Sequence, residues 1–119
     1  MKKALQIMMT LVVTATGSFV QAGAIGGWRW GDGEVKPSEH EYHEVAFAGG
    51  EVAKVRLHGF GKTWLSLQIY DKKGRLVAIA HDRDGDEAVA TWLPACSASY
   101  LIMVDNPAPV ANSYLYLTN

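Results

Sequence analysis

From Tyr42 onward, apolar and polar positions alternate with period two, the pattern of strands that lay one face on a core. His43, Val45 and Phe47 share one face, with Glu44 and Ala46 on the other. Ala53, Val55 and Leu57 alternate with Lys54, Arg56 and His58, apolar inward and basic outward. Leu65, Leu67 and Ile69 form the next inner face, with Trp64, Ser66, Gln68 and Tyr70 opposite. Residues 76–80 are a nearly continuous apolar run, which predicts a strand buried on both faces. Val89, Thr91 and Leu93 alternate with Ala90 and Trp92 until Pro94 stops the run. Tyr100, Ile102 and Val104 alternate with Leu101 and Met103, and Tyr114, Tyr116 and Thr118 with Leu115 and Leu117.

Turn chemistry separates these runs: Gly49-Gly50, Gly59-Phe60-Gly61, Asp71-Lys72-Lys73-Gly74 and Asp105-Asn106-Pro107. The third is a hairpin signal, because glycine supplies the positive φ that a tight turn demands. No stretch after residue 22 keeps a helical period. Short strands at this spacing predict an all-β, antiparallel sandwich or barrel.

The first 22 residues follow a different rule. Lys2 and Lys3 precede an apolar run over residues 4–20, and Val20-Gln21-Ala22 ends it with small residues. That is the layout of a secretory signal peptide, cleaved after Ala22 or, alternatively, after Ala24. The run is too short and too polar for a spanning helix, which needs about 20 apolar residues. The chain is thus expected outside the cytoplasm, secreted or periplasmic, with no membrane insertion once the leader is gone. It divides into a leader (1–22), a glycine-rich arm containing Trp28 and Trp30 (23–39) and a sandwich domain (40–119). The arm reads as irregular, with its two tryptophans packed as a flap on the domain edge or, alternatively, stacking on a ligand.

Charge narrows the partners. The chain has 11 basic and 12 acidic residues, and losing Lys2 and Lys3 with the leader makes it more acidic. Nucleic acid needs a basic stripe that is missing here, so carbohydrate, protein or a cation remain. Cys96 is the only cysteine, so no disulfide can form within the chain. It is expected to be a buried small hydrophobe, with pairing to another chain as the alternative.

The residues from 42 to 119 resemble a known family. Phe47-Ala48-Gly49-Gly50-Glu51-Val52-Ala53, residues 55–59, and residues 63–71 with Gly74 carry the likeness. Trp92-Leu93-Pro94, Tyr100-Leu101-Ile102-Met103-Val104-Asp105-Asn106 and residues 112–119 extend it. Their order and spacing are similar to the bacterial pre-peptidase C-terminal domain. The resemblance implies a jelly-roll-like β-sandwich of seven to eight strands with no catalytic residues of its own. Such domains accompany secreted peptidases, and some bind matrix polymers or calcium. The family's acidic pattern after the threonine is replaced here by Trp64-Leu65-Ser66, so no calcium role carries over to those positions.

Three constellations could carry chemistry. Asp82, Asp84, Asp86 and Glu87 crowd one loop, and calcium takes six to eight oxygens. Arg83 sits among them, and a run of this kind is ordinarily a solvated hairpin that guards an edge. Residues 39–44 hold His40 and His43 among three acids. Their three-residue spacing in an extended chain turns them to opposite faces, which disfavours a shared metal. Trp64 and Tyr70 lie opposite the inner face of their strand. They are core or edge packing if both faces are covered, and a stacking platform if that face is open.

The reading is therefore an exported, non-catalytic module for binding or protein interaction, taking a protein or extracellular polymer and needing no cofactor. The alternatives are a calcium-responsive structural module using Asp82, Asp84 and Asp86, and a small exported metal-dependent enzyme using His40 and His43.

Overall fold

The computed structural model describes residues 23–61, 63–81 and 87–119. Residues 1–22, expected to be the leader, and Asp82, Asp84 and Asp86 of the acidic loop lie outside them.

Eight strands follow one another: β1 (Trp30–Val35), β2 (Glu39–Phe47), β3 (Ala53–Gly59), β4 (Ser66–Tyr70), β5 (Leu76–His81), β6 (Ala88–Trp92), β7 (Ala98–Asn106) and β8 (Asn112–Thr118). No helix occurs among the described residues. The first sheet has the order β1-β8-β3-β6 and the second β2-β7-β4-β5, all antiparallel. Only β4 and β5 follow each other within one sheet; every other connection crosses to the opposite sheet.

The alternation read from the sequence decides which faces meet. Ala53, Val55 and Leu57 of β3 are fully buried, as are Leu67 and Ile69 of β4 and Ile102 and Val104 of β7. Phe47 of β2 and Tyr114 of β8 complete one apolar layer between the sheets, the arrangement of a β-sandwich. Trp92 closes one side of it, its ring 4.8 Å from that of Phe47 and 5.2 Å from that of Tyr100. The β4–β5 hairpin turns at Asp71–Arg75, with Gly74 at φ +79°. Asp71 accepts from the backbone N–H groups of Arg75 and Lys73 and from the Arg75 guanidinium. These bonds, the Arg75 N–H foremost, hold its carboxyl below the usual range.

Three expectations need correction. The arm is not irregular throughout: residues 30–35 form β1, laddered to β8 from Trp30↔Leu117 to Val35↔Asn112. Its tryptophans do not pack as a flap, since Trp28 and Trp30 are exposed. Second, β5 is not buried on both faces. It is the edge of the second sheet, and Leu76, Val77 and Ile79 are exposed. Third, Cys96 is exposed. A side chain on Gly49 would run into the Cys96 backbone, so it is the main chain of Cys96 that packs, against Gly49, while its thiol side stays exposed.

Candidate functional site

The outward positions of the second sheet come together by register. Tyr70 pairs with Leu76 on one side and Leu101 on the other, and Leu101 lies opposite Glu44. One row along, Ile79, Gln68, Met103 and Tyr42 lie side by side across all four strands. A third row runs His81, Ser66, Asp105, His40. Two of these rows are mainly apolar on a face that an antiparallel sheet normally leaves to polar side chains. Tyr42 and Ile79 are each 52% exposed and Leu76 50%. A shallow groove of about 460 Å³ crosses this face, lined by Tyr42, Tyr70, Gly74 and Leu101. The Tyr70 hydroxyl donates to the Gln68 side-chain carbonyl, which steadies the ring along its own strand.

A second hollow, about 420 Å³, lies between Thr63, Trp64, Pro107 and Ala108. Two buried asparagines build its rim. Asn112 Nδ2 donates to the Thr63 carbonyl at 2.8 Å and to its hydroxyl at 3.0 Å, while Asn112 Oδ1 accepts from the Gly61 N–H. Asn106 Nδ2 donates to the carbonyls of Val35, Lys36 and Val110, and its Oδ1 accepts from the Ala108 N–H. Trp64 is 45% exposed and meets the His81 ring edge-on at 5.7 Å. Trp64 stands two residues before β4 and Tyr70 ends it, six steps along the chain, about 20 Å at the strand rise. The two aromatics therefore mark opposite ends of one face and do not form a single stacking pair.

The remaining sequence candidates disperse. Trp28 and Trp30 belong to the other sheet's margin, where Trp30 pairs with Leu117. Glu87 is exposed and 3.4 Å from the Arg56 guanidinium. His40 lies on the outer face beside Tyr42, ring to ring at 5.1 Å, whereas His43 points between the sheets. The two histidines do not converge on one ligand. Among the described residues no group of three or more His, Cys, Asp or Glu converges as a metal cage.

One polar network escaped the sequence reading. The Tyr114 hydroxyl donates to Glu41 Oε1 at 2.7 Å and lies 2.6 Å from His43 Nε2. With its only proton given to Glu41, the hydroxyl accepts, so Nε2 of His43 carries hydrogen. The His43 ring also leans on Tyr116 at 4.6 Å. Burial pushes the pKa of Tyr114 far up, helped by its bond to Glu41. It pushes His43 down, against the opposing charges of Glu41 and Asp32. The network ties β2 to β8 across the gap between the sheets.

No family model matches the chain, and no curated protein matches it.

Proposed function

We propose that this chain is an exported, non-catalytic β-sandwich module that holds a polymer or protein partner on the outer face of its second sheet. The carrying observation is the row arrangement on the outer face of that sheet, where Leu76, Leu101, Ile79 and Tyr42 are exposed around the half-buried Tyr70 and the buried Met103. Contiguous apolar surface rimmed by polar groups marks interaction sites, and tyrosine and methionine are enriched in them. The leader pattern supports export. The strand order, with all but one connection crossing between sheets, supports a jelly-roll topology similar to that of the pre-peptidase C-terminal domains. The Glu41–Tyr114–His43 network supports a structural role for those groups, because its hydrogen bonds join β2 of one sheet to β8 of the other.

The test is co-sedimentation of the exported protein with insoluble chitin, peptidoglycan and fibrillar collagen. Retention on at least one is expected, and Ile79→Lys with Leu101→Lys should abolish it while the melting temperature stays within a few degrees. Retention that survives both substitutions, or none on any of the three, overturns the reading.

A further inference from the structure

The sequence offers two small-residue junctions for removal of the leader, Val20-Gln21-Ala22 before Gly23 and Ala22-Gly23-Ala24 before Ile25. The fold treats the two residues between them as part of itself. Ala24 is fully buried and counts in the core. Its N–H donates to the Asn119 carbonyl at 2.9 Å, next to the end of β8 in the first sheet. The Gly23 carbonyl accepts from the Ala48 N–H at 2.8 Å, just past β2 in the second sheet, and Ala24 forms an isolated antiparallel bridge with Phe47. The Ala24 carbonyl further accepts from the Gly27 N–H at 3.2 Å.

These two residues are a clasp across one end of the sandwich. Gly23 is also sterically fixed: a Cβ there would lie 2.5 Å from the Asn119 carbonyl carbon, and its φ is +86°. An alanine at that site would collide with backbone, which cannot move aside as a long side chain can. Cutting before Ile25 would remove the clasp and leave the Ala48 N–H and the Asn119 carbonyl without these partners. It would also remove the buried Ala24 side chain from the core and the main-chain bonds that tie the two sheets together at this end.

We propose that leader removal hydrolyses the Ala22–Gly23 bond, making Gly23 the first residue of the working protein. The proposal rests on the export reading above. In the step a membrane-bound leader peptidase adds water across the amide: the Ala22 carbonyl carbon keeps the hydroxyl as a carboxylate, and the Gly23 nitrogen leaves as an amine. The severed leader carries Lys2 and Lys3 away, and Gly23-Ala24 remain to close the end of the sandwich.

The experiment is expression of the full chain in an exporting bacterial host, with intact-mass measurement and N-terminal sequencing of the product. A mature chain beginning at Gly23 is expected. A chain beginning at Ile25 overturns the assignment while leaving export intact. A full-length chain still beginning at Met1 overturns the export reading together with it. Ala24→Leu in the full chain gives an independent answer, because processing acts before the chain has folded. Leucine blocks a cut that needs a small residue at position 24 but is tolerated two residues after the cut at Ala22. Continued removal of the leader is therefore expected, and accumulation of unprocessed chain would overturn the proposal.

Discussion

The Tyr114 hydroxyl and the Glu41 carboxylate meet at 2.7 Å, although 73 residues separate them in sequence. The bond joins β8 of one sheet to β2 of the other, at the side where β1 and β2 approach. Phenylalanine at position 114 keeps the ring but removes the hydroxyl that serves both Glu41 and His43. Tyr114→Phe should therefore lower unfolding stability by about 1–3 kcal/mol, the cost of stranding half-buried polar groups. Glu41→Gln should cost less, because the amide oxygen still accepts from the phenol. Urea unfolding of the three proteins checks the order.

His43 gives stability a pH dependence. Burial lowers its pKa in the folded protein below that of the unfolded chain, so between the two values the unfolded chain binds more protons. Its contribution is then fully present above about pH 6.5 and is lost as pH falls through the lower, folded value. The groups against it are Tyr114 and Tyr116 on β8 and Glu41 on its own strand, and the charge of the outward Asp32 on β1 acts on it as well. Melting temperature should fall from pH 7 toward pH 5, and His43→Gln should flatten that part of the slope. An unchanged slope would assign the loss to other groups.

Gly31 faces the Tyr116 ring so closely that a Cβ there would lie 2.8 Å from Tyr116 Cζ. Tyr116 is itself buried against His43 and cannot readily swing away. Gly31→Ala should cost about 1–3 kcal/mol through overpacking. The exposed Asp32→Ala next to it should cost far less. Parallel denaturation curves compare the two.

Calcium separates the binding-module reading from its main alternative. Glu87 already has Arg56 beside it, and Arg83 interrupts the acids in sequence. Millimolar calcium should leave the melting temperature of the processed protein unchanged, and a chelator should do the same. A rise that disappears in Asp84→Ala would establish a metal site, since a ligand bound only by the folded state must stabilise it.

Legibility of the chain followed its periodicity. The inner faces of β3 and β4 were readable because each inward position is apolar and its neighbours are mostly polar, whereas in β7 the outward Leu101 and Met103 are apolar too and only the β-branched and aromatic run marks the strand. β1 was hidden for a packing reason. Its inward positions Gly31 and Gly33 are glycines because the rings of Tyr116 and Tyr114 occupy the space beside them, so no apolar alternation marks the strand. β5 misled because an apolar run looks the same whether covered on both faces or exposed at an edge. On the face that carries the candidate site, the parity of Trp64 and Tyr70 was legible. Their neighbours Tyr42, Leu76 and Ile79 come from strands that only the register brings alongside. The Glu41–Tyr114–His43 network and the capping by Asn106 and Asn112 depend on contacts over long sequence distances, to which no local pattern points.

The two glycines in β1 have a mechanical consequence. Of the strand's inward positions, only Val35 contributes a side chain to the core, so β1 is attached chiefly by its ladder to β8 and by the tyrosine rings lying under it. A strand held by main-chain bonds with little buried side chain is among the first to open in local fluctuations. Peeling it back would bare Tyr114, Tyr116 and the Glu41–His43 pair together while the other seven strands kept their order. The amide protons of residues 30–34 should accordingly exchange with solvent well before those of β3, making β1 the seam at which this sandwich comes undone.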